Sequence, residues 1–238
     1  MTVFNITIIS DTVCPFCYLG RARLARAITI YRKTVPGGSS STFNIRWHAY
    51  RLDLEPPTES ALVTDVAARK FGADRLVAKR ARMSQLGAQE GFTFTFGGRI
   101  GNTHDSHRVI QLGRTKGAEV EDRVAMAVMK MFFEEDGDIT SRDDLARAAE
   151  TAGIPGPETK AWLEGAAGVR EVDGEVEEAY ARGYKGVPTF IINGKHEVDG
   201  AADVSDFLEM FALAKDEENA TKVETQSTDW CIDSACAL

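Results

Sequence analysis

The 238-residue chain reads as an α/β protein with strands at its two ends and helices between them. Three observations predict this. The apolar run Val3–Ile9 leads through Cys14-Pro15-Phe16-Cys17 into a stretch where Leu24, Ala27, Ile28 and Tyr31 recur at helical spacing. From about residue 57 to 183 the periodicity is helical almost throughout. Strand signal then returns on both sides of Asn193-Gly194, a dipeptide suited to hairpins because both residues tolerate positive φ.

Taken in order, the first helix ends near Lys33, and Pro36-Gly37-Gly38-Ser39-Ser40-Ser41 forms a loop. Phe43, Ile45 and Trp47 then alternate with polar residues, as in a half-buried strand. Strand–helix–strand of this length predicts a right-handed unit with parallel strands. In the middle, Leu62 with Val66, Leu76 to Leu86, and Leu145 to Ala152 mark helices. Val120, Val124, Ala127, Val128, Met131 and Phe132 form one apolar stripe, and Val172, Val176, Ala179 and Tyr180 another. Acidic residues around the latter, Glu175 and Glu178 among them, read as solvated faces, while Gly97-Gly98, Gly137 and Pro155-Gly156-Pro157 punctuate the helices. The hairpin comprises Thr189–Ile192 and Lys195–Val198, followed by an amphipathic helix bearing Val204, Phe207, Leu208 and Phe211. Neither end can cover an apolar sheet face alone, so the two must share one sheet. The expected division is a discontinuous domain of residues 1–56 and 184–214, a helical insertion over 57–183, and a polar, flexible tail over 215–238.

Composition removes several classes of function. Lys and Arg number 28 against 36 Asp and Glu, a net charge of −8, so no basic footprint for nucleic acid is expected. No apolar run approaches the roughly 20 residues that cross a bilayer. The N-terminus lacks the features of a secretory signal. Four cysteines are too few for a disulfide scaffold, and a cytoplasmic setting is expected, where disulfides are transient and catalytic.

Cys14 and Cys17 stand where a strand turns into a helix. Residues three apart on a helix have Cα atoms roughly 5 Å from each other, within disulfide reach. The unpaired N–H groups and dipole of a helix N-terminus favour a thiolate at the first sulfur. Pro15 suits the first helical turn, where its missing N–H costs nothing. Half of a zinc site is the other meaning of two such cysteines, but no His lies close in sequence, and redox chemistry is the expectation, with no metal. His104 and His107, three apart, could share a helix face at a helix start or a domain contact; His48 and His196 read as structural or exposed. Asp11 either tunes one of the cysteines or terminates the strand.

Together, Cys14-Pro15-Phe16-Cys17 and Gly186-Val187-Pro188-Thr189-Phe190 resemble the thioredoxin superfamily, in its DsbA-like branch with an inserted all-helical domain. Ser10 to Gly20, Asn102 to Arg108 and Gly186 to Gly200 look closer still to the FrnE-like polyketide-biosynthesis group of that branch. The resemblance implies a thiol–disulfide oxidoreductase in which Cys14 attacks and Cys17 resolves the mixed disulfide. It also implies a cis Val187–Pro188 bond beside the CPFC turn, with Pro188 in the active site and Val187, Pro15 and Phe16 against the substrate. The first cysteine is usually the more exposed of such a pair. Phe16 supplies no cation or ring N–H, so a less oxidising couple is expected than one with histidine there. The expected partner is a protein disulfide or glutathione, the latter as co-substrate, with no other cofactor. Kappa-class glutathione transferases and hydroxychromene-carboxylate isomerases are similar in plan but carry serine in place of Cys14. A glutathione-dependent transferase or isomerase is therefore the alternative, and a non-catalytic thioredoxin-like binding module a third reading.

Cys231 and Cys236 pose a separate question. On a continuous helix their Cα atoms would be roughly 8.7 Å apart, beyond disulfide reach, so pairing needs a turn at Asp233-Ser234-Ala235. As a flexible tether, the stretch after Lys215 spans roughly 22 Å, against a radius of gyration of about 18 Å for such a chain. The tail pair is thus a relay exchanging with Cys14 or two incidental thiols, with all four thiols around zinc as the third and least expected reading.

Overall fold

The computed structural model describes residues 2–57 and 59–233. A four-stranded sheet has the order β2-β1-β5-β6, built from β1 (Val3–Ser10), β2 (Thr42–Ala49), β5 (Thr189–Ile192) and β6 (His196–Asp199). β1 pairs in parallel with β2, from Val3 opposite Thr42 to Ser10 opposite Ala49. β5 runs antiparallel to β1, and β6 to β5. The two ends of the chain thus share one sheet, as the need to cover apolar faces predicts. Asn193 and Gly194 take φ of 52° and 72° in the hairpin, and β6 begins one residue later than its apolar pattern suggests.

Alternation decides what each face of β1 meets. Phe4, Ile6 and Ile8 are buried toward α1 (Pro15–Thr34) and α9 (Val204–Asp233). There the Phe4 ring lies 5.3 Å from Tyr31, 4.8 Å from Phe43 and 5.1 Å from Phe211, centroid to centroid. Ile9 faces the other side, where it packs with Ile191, Tyr50 and Ala179. α1 stops because Val35 precedes Pro36, a position unfavourable to continued helix, and the Val35 N–H closes the last turn on the Tyr31 carbonyl.

Between β2 and β5 lie α2 (Val63–Phe71), α3 (Ala73–Glu90), α4 (His104–Thr115), α5 (Ala118–Glu134), α6 (Arg142–Thr151), α7 (Gly156–Glu164) and α8 (Val169–Ala181). The stretch also holds a short antiparallel ladder, β3 (Ala61–Leu62) with β4 (Arg99–Ile100). Two residues per strand are too few to leave an alternating pattern. Pro155-Gly156-Pro157 marks the break between α6 and α7 and opens the latter, since proline is tolerated in a first turn.

β2 is a sheet edge, and two of its outward N–H groups are capped by carboxylates. Glu121, fully buried on α5, accepts the Trp47 N–H at 3.0 Å, and Glu175 on α8 accepts that of Ala49 at 2.8 Å. Arg114 bridges the two carboxylates and donates to the Trp47 carbonyl. Glu175 is therefore not part of a solvated face: it closes an otherwise open edge.

α9 runs in the same direction as α1. Asp203, just before it, pairs with Arg23 at 3.1 Å, and Lys215 reaches the Pro36 carbonyl at 3.0 Å. Where the sequence suggests loss of order after Lys215, the helix continues to Asp233, with no glycine or proline to stop it. It leads away from the Cys14 end of α1. The tail pair falls outside the description: Cys236 lies beyond the described residues, as does the side chain of Cys231.

Candidate active site

Cys14 is the N-cap of α1, with Pro15 in the first turn and Cys17 one turn inside. The turn is fixed by two hydrogen bonds: the Cys14 N–H donates to the Asp11 carbonyl at 3.0 Å, and the Cys17 N–H to the Cys14 carbonyl at 3.0 Å. Both cysteines are free thiols. Cys14 keeps 4 % of its surface and Cys17 none, so both are buried and the first is only slightly the more open. Phe16, by contrast, projects outward with 39 % exposure.

From the other half of the sequence comes the facing wall. The Val187–Pro188 peptide is cis. The Cys14 thiol donates to the Val187 carbonyl at 3.5 Å across 173 residues of sequence. The Pro188 carbonyl accepts the Gly200 N–H at 2.8 Å, and the Thr189 hydroxyl donates to Asp199 Oδ1 at 3.1 Å, so β6 holds this segment in place. A cleft of about 580 Å³ opens beside it, lined by Tyr184, Lys185, Val187, Pro188, Glu197 and Asp199 among others. α1 approaches through Gly20, where a Cβ would stand 2.9 Å from the Phe190 ring and 3.4 Å from Pro188.

The two sulfurs differ in acidity. A hydrogen bond from the Cys17 side chain holds the Cys14 thiol below its ordinary value, against the opposing effects of burial and of the Asp11 charge. Burial pushes Cys17 well above its ordinary value, and the neighbouring Cys14 adds to this. The pair is thus polarised, with negative charge favoured on the sulfur that faces Val187.

Behind the turn lies a polar cluster built by α4. The Ser106 and Thr12 hydroxyls are 2.7 Å apart. His107, buried, places Nε2 3.1 Å from the Tyr50 carbonyl and 3.5 Å from Asp11 Oδ1. Asp11 Oδ2 accepts the Leu52 N–H at 2.8 Å. His104 points elsewhere, toward Asp173 at 3.2 Å, so the two histidines do not act together. His48 meets the Glu175 carbonyl and His196 meets Glu217. Sequence reasoning gave His107 a domain contact without its partner. The available signal was a hydroxyl and an imidazole in the first turn of a helix, which names no counterpart.

A βαβ unit completed by a hairpin, with a dithiol at the start of the first helix facing an X–Pro carbonyl, is the thioredoxin fold, here with a helical insertion. Residues 5–212 match the DSBA-like thioredoxin domain, and the chain belongs to that family. It is similar to the uncharacterized protein YwbO of Bacillus subtilis (strain 168), 27 % identical over 207 residues that cover 85 % of this chain and 92 % of that one. Among solved structures it resembles a probable DsbA oxidoreductase from Streptomyces coelicolor at 25 % identity and a TM-score of 0.77, over 90 % of this chain and 91 % of that one. It also shares its fold with the cytosolic disulfide reductase DsbM from Pseudomonas aeruginosa, 15 % identical, TM-score 0.56, covering 94 % and 98 % of the two chains. That protein has also been solved with glutathione. In this chain no helix among the described residues is long and apolar enough to cross a membrane.

Proposed function

We propose that this protein exchanges thiols and disulfides through Cys14 and Cys17. In the reducing direction the Cys14 thiolate attacks one sulfur of a substrate disulfide, forming a mixed disulfide and releasing the other substrate sulfur as a thiolate. Cys17 then loses its proton and attacks Cys14 Sγ. The Cys14–Cys17 bond forms, the second substrate thiolate leaves, and two electrons have passed to the substrate. A thiol such as glutathione restores the dithiol by the reverse sequence, its two molecules ending as the disulfide.

The observation that carries this reading is the polarised pair: an acidified Cys14 opposite the Val187 carbonyl, and a fully buried Cys17 whose proton is held until a mixed disulfide forms. Val187 offers backbone to an incoming chain, and Phe16, exposed in the same turn as Cys14, offers it an apolar contact. Protein disulfides and glutathione disulfide are the substrates expected for this chemistry. Insulin reduction driven by glutathione or dithiothreitol tests the reading. The protein should accelerate precipitation, Cys14→Ser should fall to the uncatalysed rate, and Cys17→Ser should accumulate mixed disulfides at Cys14. Absence of any acceleration by the unaltered protein, with insulin and with glutathione disulfide alike, would sink the assignment.

A further inference from the structure

Between residues 69 and 82, across α2 and α3, stand Arg69, Lys70, Arg75, Lys79, Arg80 and Arg82, with Asp74 as the one carboxylate among them, in a chain of net charge −8. None of these cations pairs with a carboxylate among the described residues, whereas Arg23, Arg26 and Arg99 nearby all do. Folding does not call for this arrangement. Arg69 and Lys70 lie in the last turn of α2 and complement its dipole. Arg75, in the first turn of α3, opposes the dipole there. Lys79 follows it at i+4 and Arg82 three residues later, so the three share one exposed face. Like charges at that spacing destabilise a helix, and a face that serves only solvation mixes its signs. Apolar surface lies between the charges. Phe71 and Val77 are exposed, Val77 by 72 %, and α2 buries none of its residues. Lys79 Nζ stands 4.3 Å from the Phe71 ring centre. Arg80 lies over the Phe96 ring at 5.5 Å, with one Nη buried and unpartnered among the described residues.

We propose that the α2–α3 hairpin docks an acidic stretch of a polypeptide client while the client's disulfide is presented to Cys14. The inference rests on the thiol–disulfide reading above and names the class of polypeptide it serves. Unpaired guanidinium and ammonium groups recognise carboxylates, and Phe71 and Val77 offer contact to apolar side chains between them. Both ends of the hairpin are tied beside the dithiol. The chain leads into it from Leu52, whose N–H is held by Asp11, and leaves at Phe92, whose ring stacks on Tyr18 at 4.0 Å. A polypeptide lying here therefore has its neighbouring residues close to the reactive sulfur. The charge of the whole molecule acts in the opposite sense: at −8 it draws basic substrates and repels acidic ones. A preference for acid is thus the mark of this local surface.

The test mixes the reduced full chain with two peptides of equal length, each closing one disulfide and carrying a run of either glutamates or lysines beside it. Acid quench and mass measurement follow their reduction. At low salt the glutamate peptide should react about tenfold faster, and high salt should erase most of the difference. Replacing Arg75, Lys79 and Arg82 together by glutamine should abolish the preference while leaving the rate with neutral hydroxyethyl disulfide unchanged. Should that variant not fold, Lys79→Gln alone should lower the preference about twofold. Equal rates, a faster lysine peptide, or a glutamate preference that survives these substitutions overturns the proposal. So does binding to phosphatidylglycerol vesicles without any preference between the peptides, which would make the hairpin a lipid contact. Silence toward both peptides and hydroxyethyl disulfide brings down the thiol–disulfide reading itself, and this proposal with it; reaction with hydroxyethyl disulfide alone overturns only the docking surface.

Discussion

Two sulfurs one helical turn apart occupy different electrostatic settings, and this is measurable. Cys14 is acidified chiefly by the Cys17 side chain, while Cys17 is driven up by burial. Because only thiolates alkylate, the iodoacetamide rate at Cys14 should rise with pH and level off below the range of an ordinary thiol. Cys17 should stay unmodified until the protein is unfolded. Peptide mapping after brief labelling across a pH series checks both; equal labelling of the two sulfurs would contradict the polarised pair. Cys14 and Cys17 are legible from sequence because CPFC follows a buried strand and opens a helix. Asp11 with His107 is not, since the two meet only when β1 and α4 pack, and no local pattern records a contact of that range.

At the scale of elements, α1 lies so close to β5 that one hydrogen replaces a side chain. Gly20→Ala would gain up to about 1 kcal/mol of helix propensity, yet its Cβ would strike the buried Phe190 ring at 2.9 Å. Overpacking typically costs about 1–3 kcal/mol, so net destabilisation is expected by urea unfolding, with lower activity as Pro188 shifts. A more stable, fully active variant would show that the ring yields.

The first turn of α4 offers a pH test. His104 foremost, then Arg108 and Arg142, hold Asp105 down from its ordinary 3.8 to about 2. A depressed carboxylate stabilises the fold above its unfolded value and loses that contribution as pH falls through the folded one. Asp105→Asn should therefore be less stable than the unaltered protein near neutrality, by about 1 kcal/mol after allowing for partial exposure, with the gap closing between pH 4 and 2. Denaturant midpoints across that window decide it; a constant gap would refute the linkage. The hairpin and the long helices show in the sequence as turn chemistry and sustained periodicity. The β3–β4 ladder does not, being too short, and Glu175 reads as surface because only the fold reveals the β2 edge it caps.

For the molecule as a whole, the direction of α9 bears on the tail cysteines. The helix passes Arg23 and then Pro36, and runs on from the pole opposite Cys14. At about 1.5 Å per residue, Cys231 lies some 24 Å further out along the axis than Lys215. A relay within one chain would require that helix to break and fold back. Replacing Cys231 and Cys236 together by serine should leave the insulin reduction rate within twofold. A tenfold loss at constant Cys14 reactivity would restore the relay.

The inserted helices leave the sheet after Ala49 and return at Thr189, and both points flank the same end of β1. With neighbouring strands about 4.8 Å apart, departure and return are separated by only about 10 Å. Both anchor points therefore sit on the rim from which Cys14 emerges. Apart from α4, whose Ser106 and His107 back the turn, the lobe can change size or shape with the β1, α1 and β5 supports of the sulfur left in place.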